Sequence, residues 1–203
     1  EYNNAFSGIF DMKLRNGNNQ RYESSVQTSL IGLDLASEGP LGKKGKASYL
    51  FNYRNATFAF IRKFIPDMEI NNFGYQDLAF KLHFPAGKGI FSIWGLGLMD
   101  KNYEKFNRYS SEWSSENSYK INLTGNQYMA SGGIVHSYLC SDKISFKTSL
   151  GVVYSKNNLE PDSIQRFEIP NLNLLSRSFN VNASTQLNYK INSRHINKSG
   201  ITW

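Results

Sequence analysis

Cysteine is nearly missing from this 203-residue chain, which carries only Cys140. A disulfide framework is therefore excluded. Long apolar runs are missing as well. The best one, residues 89–99, is broken by Ser92 and by Gly89, Gly95 and Gly97. A spanning helix needs about 18–20 consecutive apolar residues, so a helical membrane protein is excluded. Histidine is scarce. His83, His136 and His195 are far apart, and none has a second ligand at a metal-binding spacing. No Cys-His or Ser-His-Asp arrangement and no acid–base pair can be picked out. No enzyme, metal or cofactor is expected. No segment holds a 3.6-residue apolar period, so helices are not expected either.

What is present is unusual. The chain has 14 Phe, 12 Tyr and 3 Trp beside 23 Asn and 24 Ser. So many aromatics exclude a disordered chain. The net charge is +7, but the basic residues are scattered through turns and strands. Without a basic stripe, nucleic acid is not an expected partner. The stretch GPLGKKGK at 39–46 has the flavour of a phosphate loop. It lacks the required Gly-Lys-Ser/Thr register and reads as a hairpin turn. Its Lys43, Lys44 and Lys46 have the charge to meet anionic headgroups.

Strand signals dominate. From Phe179 to Ile191 every odd position is apolar or aromatic except Thr185, and every even position, from Asn180 to Lys190, is polar. A period of two held this long exceeds the ~5–6 residues of a typical globular strand. Ile144, Phe146, Leu150, Val152 and Tyr154 repeat the pattern. So do Leu78, Phe80, Leu82 and Phe84, and Tyr49, Phe51 and Tyr53, with Leu50 as the exception. Residues 24–36, 89–99 and 127–139 are strand-like with less clean alternation. The end of the chain, 195–203, reads as the opening of another strand. The expectation is an all-β, antiparallel fold with about seven strands and part of an eighth.

The connections sort into short ones (39–46, 85–88, 141–142, 192–198) and long ones (about 55–72, 100–126 and 156–176). A soluble meander has no reason for such sorting. A transmembrane barrel has one, with short turns on the periplasmic side and long loops outside. One face of the clean strands is apolar and the other is Ser, Asn, Gln and Lys. In lipid only a closed barrel satisfies the backbone of such strands. Tyr49, Tyr53, Trp94, Tyr154 and Tyr189 are placed as an aromatic girdle would be. The expected fold is an antiparallel transmembrane β-barrel segment of seven to eight long strands. A soluble β-sandwich also alternates and stands as the alternative.

Ligand-capture candidates lie in the long loops. Residues 100–126 carry Tyr103, Phe106, Arg108, Tyr109, Trp113 and Tyr119 among many Ser and Asn, and Arg62 lies in the loop at 55–72. Flat aromatic faces and guanidinium groups on outer loops suit ligand binding. Gly95 and Gly97 alternate toward one face of their strand, where small residues would admit a plug or allow a bend.

Three stretches carry a resemblance: AFSGIFDMKLRNGN at 5–18, LDLASEGPL at 33–41, and FGYQDLAFKLHFP at 73–85 followed by FSIWGLGL at 91–98. They resemble TonB-dependent outer-membrane receptors of the Bacteroidetes type, in the group with a carboxypeptidase-regulatory-like domain. The resemblance implies a division into the end of a plug domain (1–20) and the first strands of a 22-stranded barrel (21–203). It implies a strand at 6–18 that tethers plug to barrel, with Asp11, Lys13 and Arg15 meeting Lys81, Asp77 or Arg54. It also implies that the chain is a piece of a longer protein, consistent with its start at Glu1 without Met. The implied location is the bacterial outer membrane. The implied partners are outer-membrane lipid, the TonB complex acting through the missing plug, a small nutrient ligand and a surface lipoprotein. A non-transporting adhesin barrel and a soluble carbohydrate-binding sandwich are the alternatives.

Overall fold

The computed structural model describes residues 12–30, 32–42, 46–57, 72–104, 121–163 and 173–203. These form nine strands and, among the described residues, no helix. They are β1 (Glu23–Ser29), β2 (Gly32–Leu41), β3 (Ala47–Thr57), β4 (Asn72–Ala86), β5 (Gly89–Glu104), β6 (Ile121–Ser141), β7 (Ile144–Ser163), β8 (Leu174–Lys190) and β9 (Ile196–Thr202). All belong to one sheet whose spatial order is the chain order, each strand antiparallel to the next. The sheet is open, with β1 and β9 at its edges. The all-β antiparallel expectation holds.

Two differences from the sequence reading have physical reasons. Residues 24–36 are not one strand. Ser29 pairs with Gly32, and a tight hairpin separates β1 from β2. The other difference is length. β5, β6 and β7 run on to Glu104, back to Ile121 and on to Ser163, so much of the sequence assigned to long loops is paired strand. In those extensions the few apolar residues, Leu123, Leu159 and Pro161, are spaced among Asn, Gln, Thr and charged residues and lie on the face that is polar elsewhere, so hydrophobic alternation gives little signal.

The register divides the sheet into two faces. Tyr49, Leu82, Ile93, Ile134 and Leu150 lie across from one another in one row. The next row on that face is Phe51, Phe80, Gly95, Gly132, Val152 and Val181. The opposite face carries Glu38, Leu50, Lys81, Trp94, Gly133, Gly151 and Asn182 in one row. Trp94 therefore is not a girdle residue. It lies on the polar face against Gly133, where a Cβ would come within 3.2 Å of the indole. Tyr49, Tyr53, Tyr154 and Tyr189 do belong to the apolar face.

Gly95 is also on the apolar face, and the Phe80 ring fills the space above it. A ring over a cross-strand glycine restores the packing that glycine lacks. This excludes Gly95 as a point of approach for a segment on the polar side.

The apolar face has nothing packed on it among the described residues. Ala56 is the one buried hydrophobic among them. Phe51, Phe91, Ile134, Leu150, Val152, Tyr154, Phe179 and Val181 are all exposed. The polar face, by contrast, is partly covered. Residues 12–20 run across it outside the sheet, so the strand expected at 6–18 is absent over its described part, 12–18.

Candidate functional site

Two places on the polar face gather charge or leave polar atoms unpaired. The first is the contact of residues 12–20 with β2 to β4. Arg15 donates from both terminal nitrogens to the Glu38 carboxylate, at 2.5 and 2.6 Å. The Asn18 amide donates to the same carboxylate at 2.8 Å. Lys81 Nζ donates to the Leu14 carbonyl at 2.6 Å. Gly17 lies so close to the Tyr49 backbone that any Cβ would collide with its carbonyl.

This pairing corrects the expected one. Arg15 takes Glu38, while Arg54 and Asp77 pair with each other across β3 and β4 at 2.8 Å. Asp11 lies outside the described residues. Hydrogen bonds to the Glu38 carboxylate hold the pKa of the Arg15 guanidinium above its ordinary value, so the pair stays ionised. Leu50, the exception in its strand, lines the same hollow as Leu14 and Arg15. Its apolar side chain on the polar face therefore opens on the hollow that the N-terminal segment covers. A forked guanidinium–carboxylate contact fixes orientation as well as distance, and this one ties residues 12–20 to the wall.

The second place is at the far end of the polar face, toward the long connections. A groove of about 420 Å³ is lined there by Asp100, Asn102, Gln127, Asn157 and Ser176, with Leu159 and Leu174 at its side. Register explains the gathering. Asp100, Gln127, Asn157 and Ser176 are successive partners across β5 to β8. Gly125 has no side chain, and the Leu159 methyl lies over it. Oδ1 of Asp100 is buried without a hydrogen-bond partner. An unpaired buried acceptor is costly. This one is an acceptor within a set of carboxamides and a hydroxyl, flanked by leucines. Such a groove suits a ligand with hydrogen-bond donors and an aliphatic flank.

Sequence reasoning missed these groove residues because they fell in segments read as loop. Of the capture candidates, Tyr103 is described. It is a strand residue of β5, across from Asn72 and Thr124, on the face opposite Asn102 and the groove. Phe106, Arg108, Tyr109, Trp113, Tyr119 and Arg62 lie outside the described residues. His83 is within 3.3 Å of Ser92 Oγ, and His136 stacks on Phe91 at 4.1 Å. Among the described residues no three His, Cys, Asp or Glu groups gather to hold a metal. Comparison with known proteins finds no matching family model, no matching curated protein and no matching solved structure.

Proposed function

We propose that this chain is part of a TonB-dependent outer-membrane receptor, which captures a nutrient at its outer end and imports it. The observation that carries the reading is the bare apolar face. A water-soluble sheet packs its apolar face into a core. Here the side chains that a core would use are exposed in contiguous rows, and the covered face is the polar one. Lipid on the outside and a wet, plugged interior match that inversion.

The dimensions agree. On β6, Tyr128 and Tyr138 bound the apolar stretch, ten residues apart on one face. At ~3.4 Å per residue they are about 34 Å apart along the strand. With the ~40° tilt of such barrels the height is about 26 Å, close to the ~25 Å apolar band of an outer-membrane protein. Residues 12–20 then act as the end of a plug held to the wall by Arg15, Glu38 and Lys81. The loop-end groove and the long connections supply the capture surface.

The intact protein is expected in the outer-membrane fraction, extracted only by detergent and migrating faster on gels when unheated. Cells lacking the TonB system should show the same growth defect on limiting nutrients as cells lacking this protein. A monodisperse protein in detergent-free buffer would sink the membrane assignment. Unchanged function without TonB would point instead to an adhesin barrel. A deletion of 105–120 spares the paired ends of β5 and β6 and should abolish capture while leaving assembly intact.

A further inference from the structure

We propose that the short-turn end of the sheet is a basic collar that binds the phosphate headgroups of anionic phospholipids. The inference rests on the membrane reading above and adds a lipid preference to it. The meander topology brings together turns that are far apart in sequence. β2 and β3, β4 and β5, β6 and β7, and β8 and β9 all turn at the same end of the sheet.

Each of those turns contributes a cation. Lys46 precedes β3, Lys88 lies in the Gly87–Lys88 turn, Lys143 in the Asp142–Lys143 turn, and Arg194 in the turn before β9. Lys190 closes β8 beside them. All five are exposed, and none forms an ion pair among the described residues. Asp142 is the one acid in these described turns. The opposite end differs. There Asp100, Lys101, Lys156, Glu160 and Arg177 mix both signs.

The occupant follows from continuity with the apolar face. Tyr189 adjoins Lys190, and Phe146 and Tyr138 face each other just above the Asp142–Lys143 turn. Both tyrosines and Phe146 are exposed on the apolar face. A surface that is apolar, then aromatic, then cationic over a few residues matches the order of acyl chain, interface and headgroup. A lysine stem is long enough to carry its ammonium group from a turn at the end of the apolar band to the phosphates. A free phosphate ion would use the charges but not the apolar rows above them.

The test uses the intact protein in neutral detergent. It is incubated with equal mole fractions of phosphatidylglycerol and phosphatidylcholine, and the lipid that co-purifies is quantified. Phosphatidylglycerol should be enriched about tenfold. The enrichment should collapse at about 0.5 M salt, where screening is nearly complete within a few ångströms. It should also collapse in the variant K46Q/K88Q/K143Q/K190Q/R194Q, whose folding is checked by its unheated gel migration. If that variant does not fold, the five single variants should each lose part of the enrichment. Equal retention of the two lipids would overturn the collar and leave the membrane reading standing. Retention of neither lipid would overturn both. Displacement by inorganic phosphate as effective as by lipid would show an anion site without a lipid preference, and would overturn the proposal too.

Discussion

The lower and upper halves of the hairpin β6–β7 follow different rules. From Tyr128 to Tyr138 one face is mainly apolar and bare, and the other mixes Ser131, Gly133, Ser137, Lys147, Ser149 and Ser155 with Met129, Val135 and Val153. From Leu123 to Gln127, paired with Asn157 to Pro161, the face that is apolar below carries Thr124, Asn126, Asn158 and Glu160, and the face that is polar below carries Leu123, Leu159 and Pro161 beside Gln127 and Asn157. Backbone pairing is continuous through both halves, so the ladder does not distinguish them. What differs is which face carries the apolar side chains.

The sharpest way to break this comparison is a charge on the apolar face. Val152 faces Gly132, near the middle of the stretch between Tyr128 and Tyr138, and is 40% exposed. V152R should destabilise the folded state in lipid by about 2–4 kcal/mol, the cost of an arginine near the bilayer midplane. The same change at Asn157, on the polar face of the upper half, should cost well under ~1 kcal/mol. Urea titrations of the two variants in lipid vesicles, read by gel migration, give both values. Equal costs would mean that the apolar face does not meet lipid.

A second contrast lies within the lower half. Gly95 and Gly97 are neighbours on one face, but only Gly95 sits under an aromatic ring. A Cβ at Gly95 would overlap the Phe80 ring, whereas at Gly97 it would have the Leu78 Cβ at 3.9 Å. G95A should therefore cost about 1–3 kcal/mol by overpacking. G97A should be close to neutral. Adding Phe80→Leu to G95A should recover much of the loss, and a double-mutant cycle on the same urea titrations reads the coupling.

The legible and illegible parts of the sequence divide along the same line. Alternation located β3, β4, β7 and β8 through their apolar rows, because a two-residue period survives wherever one face differs from the other. It failed for the ends of β5, β6 and β7, where Asn126, Gln127, Asn157 and Asn158 look like loop residues. It also failed for Trp94, since an aromatic near a predicted strand end does not declare its face. The groove around Asp100 was invisible for a further reason. Its members come from four strands, and only the register brings them into one row. The Arg15–Glu38 pair needed the same long-range information, because its partners are separated by the β1–β2 hairpin.

The N-terminal contact gives a smaller effect. Arg15 is 66% exposed and Glu38 13% exposed, so solvent screening weakens their attraction. The Asn18 amide depends on the same carboxylate. E38Q should cost about 1 kcal/mol. Its clearer sign should be local, with trypsin cutting at Arg15 or Arg21 several-fold faster while the gel migration of the sheet is unchanged. Unaltered cleavage would mean that residues 12–20 are held by other contacts, with Lys81 and the Leu14 carbonyl the first to remove.

The smallest effect on stability belongs to Asp100, and it separates a groove built for a ligand from a gap in the wall. Oδ1 of Asp100 is buried without a partner. D100N keeps the shape and one acceptor oxygen but removes the charge. Stability should change by less than ~1 kcal/mol, because no existing hydrogen bond is lost. If the groove receives a donor-rich ligand, growth on the limiting nutrient that requires this protein should fall in D100N cells. V152R cells should fail for a different reason, with little folded protein in the membrane. Asn157→Asp, across the groove, serves as the converse, since it adds a carboxylate at a site where a carboxamide now stands. A ligand drawn by hydrogen-bond donors with positive charge should be captured better by N157D than by D100N. Equal growth of D100N and the unaltered protein would leave the groove as packing in the upper hairpin.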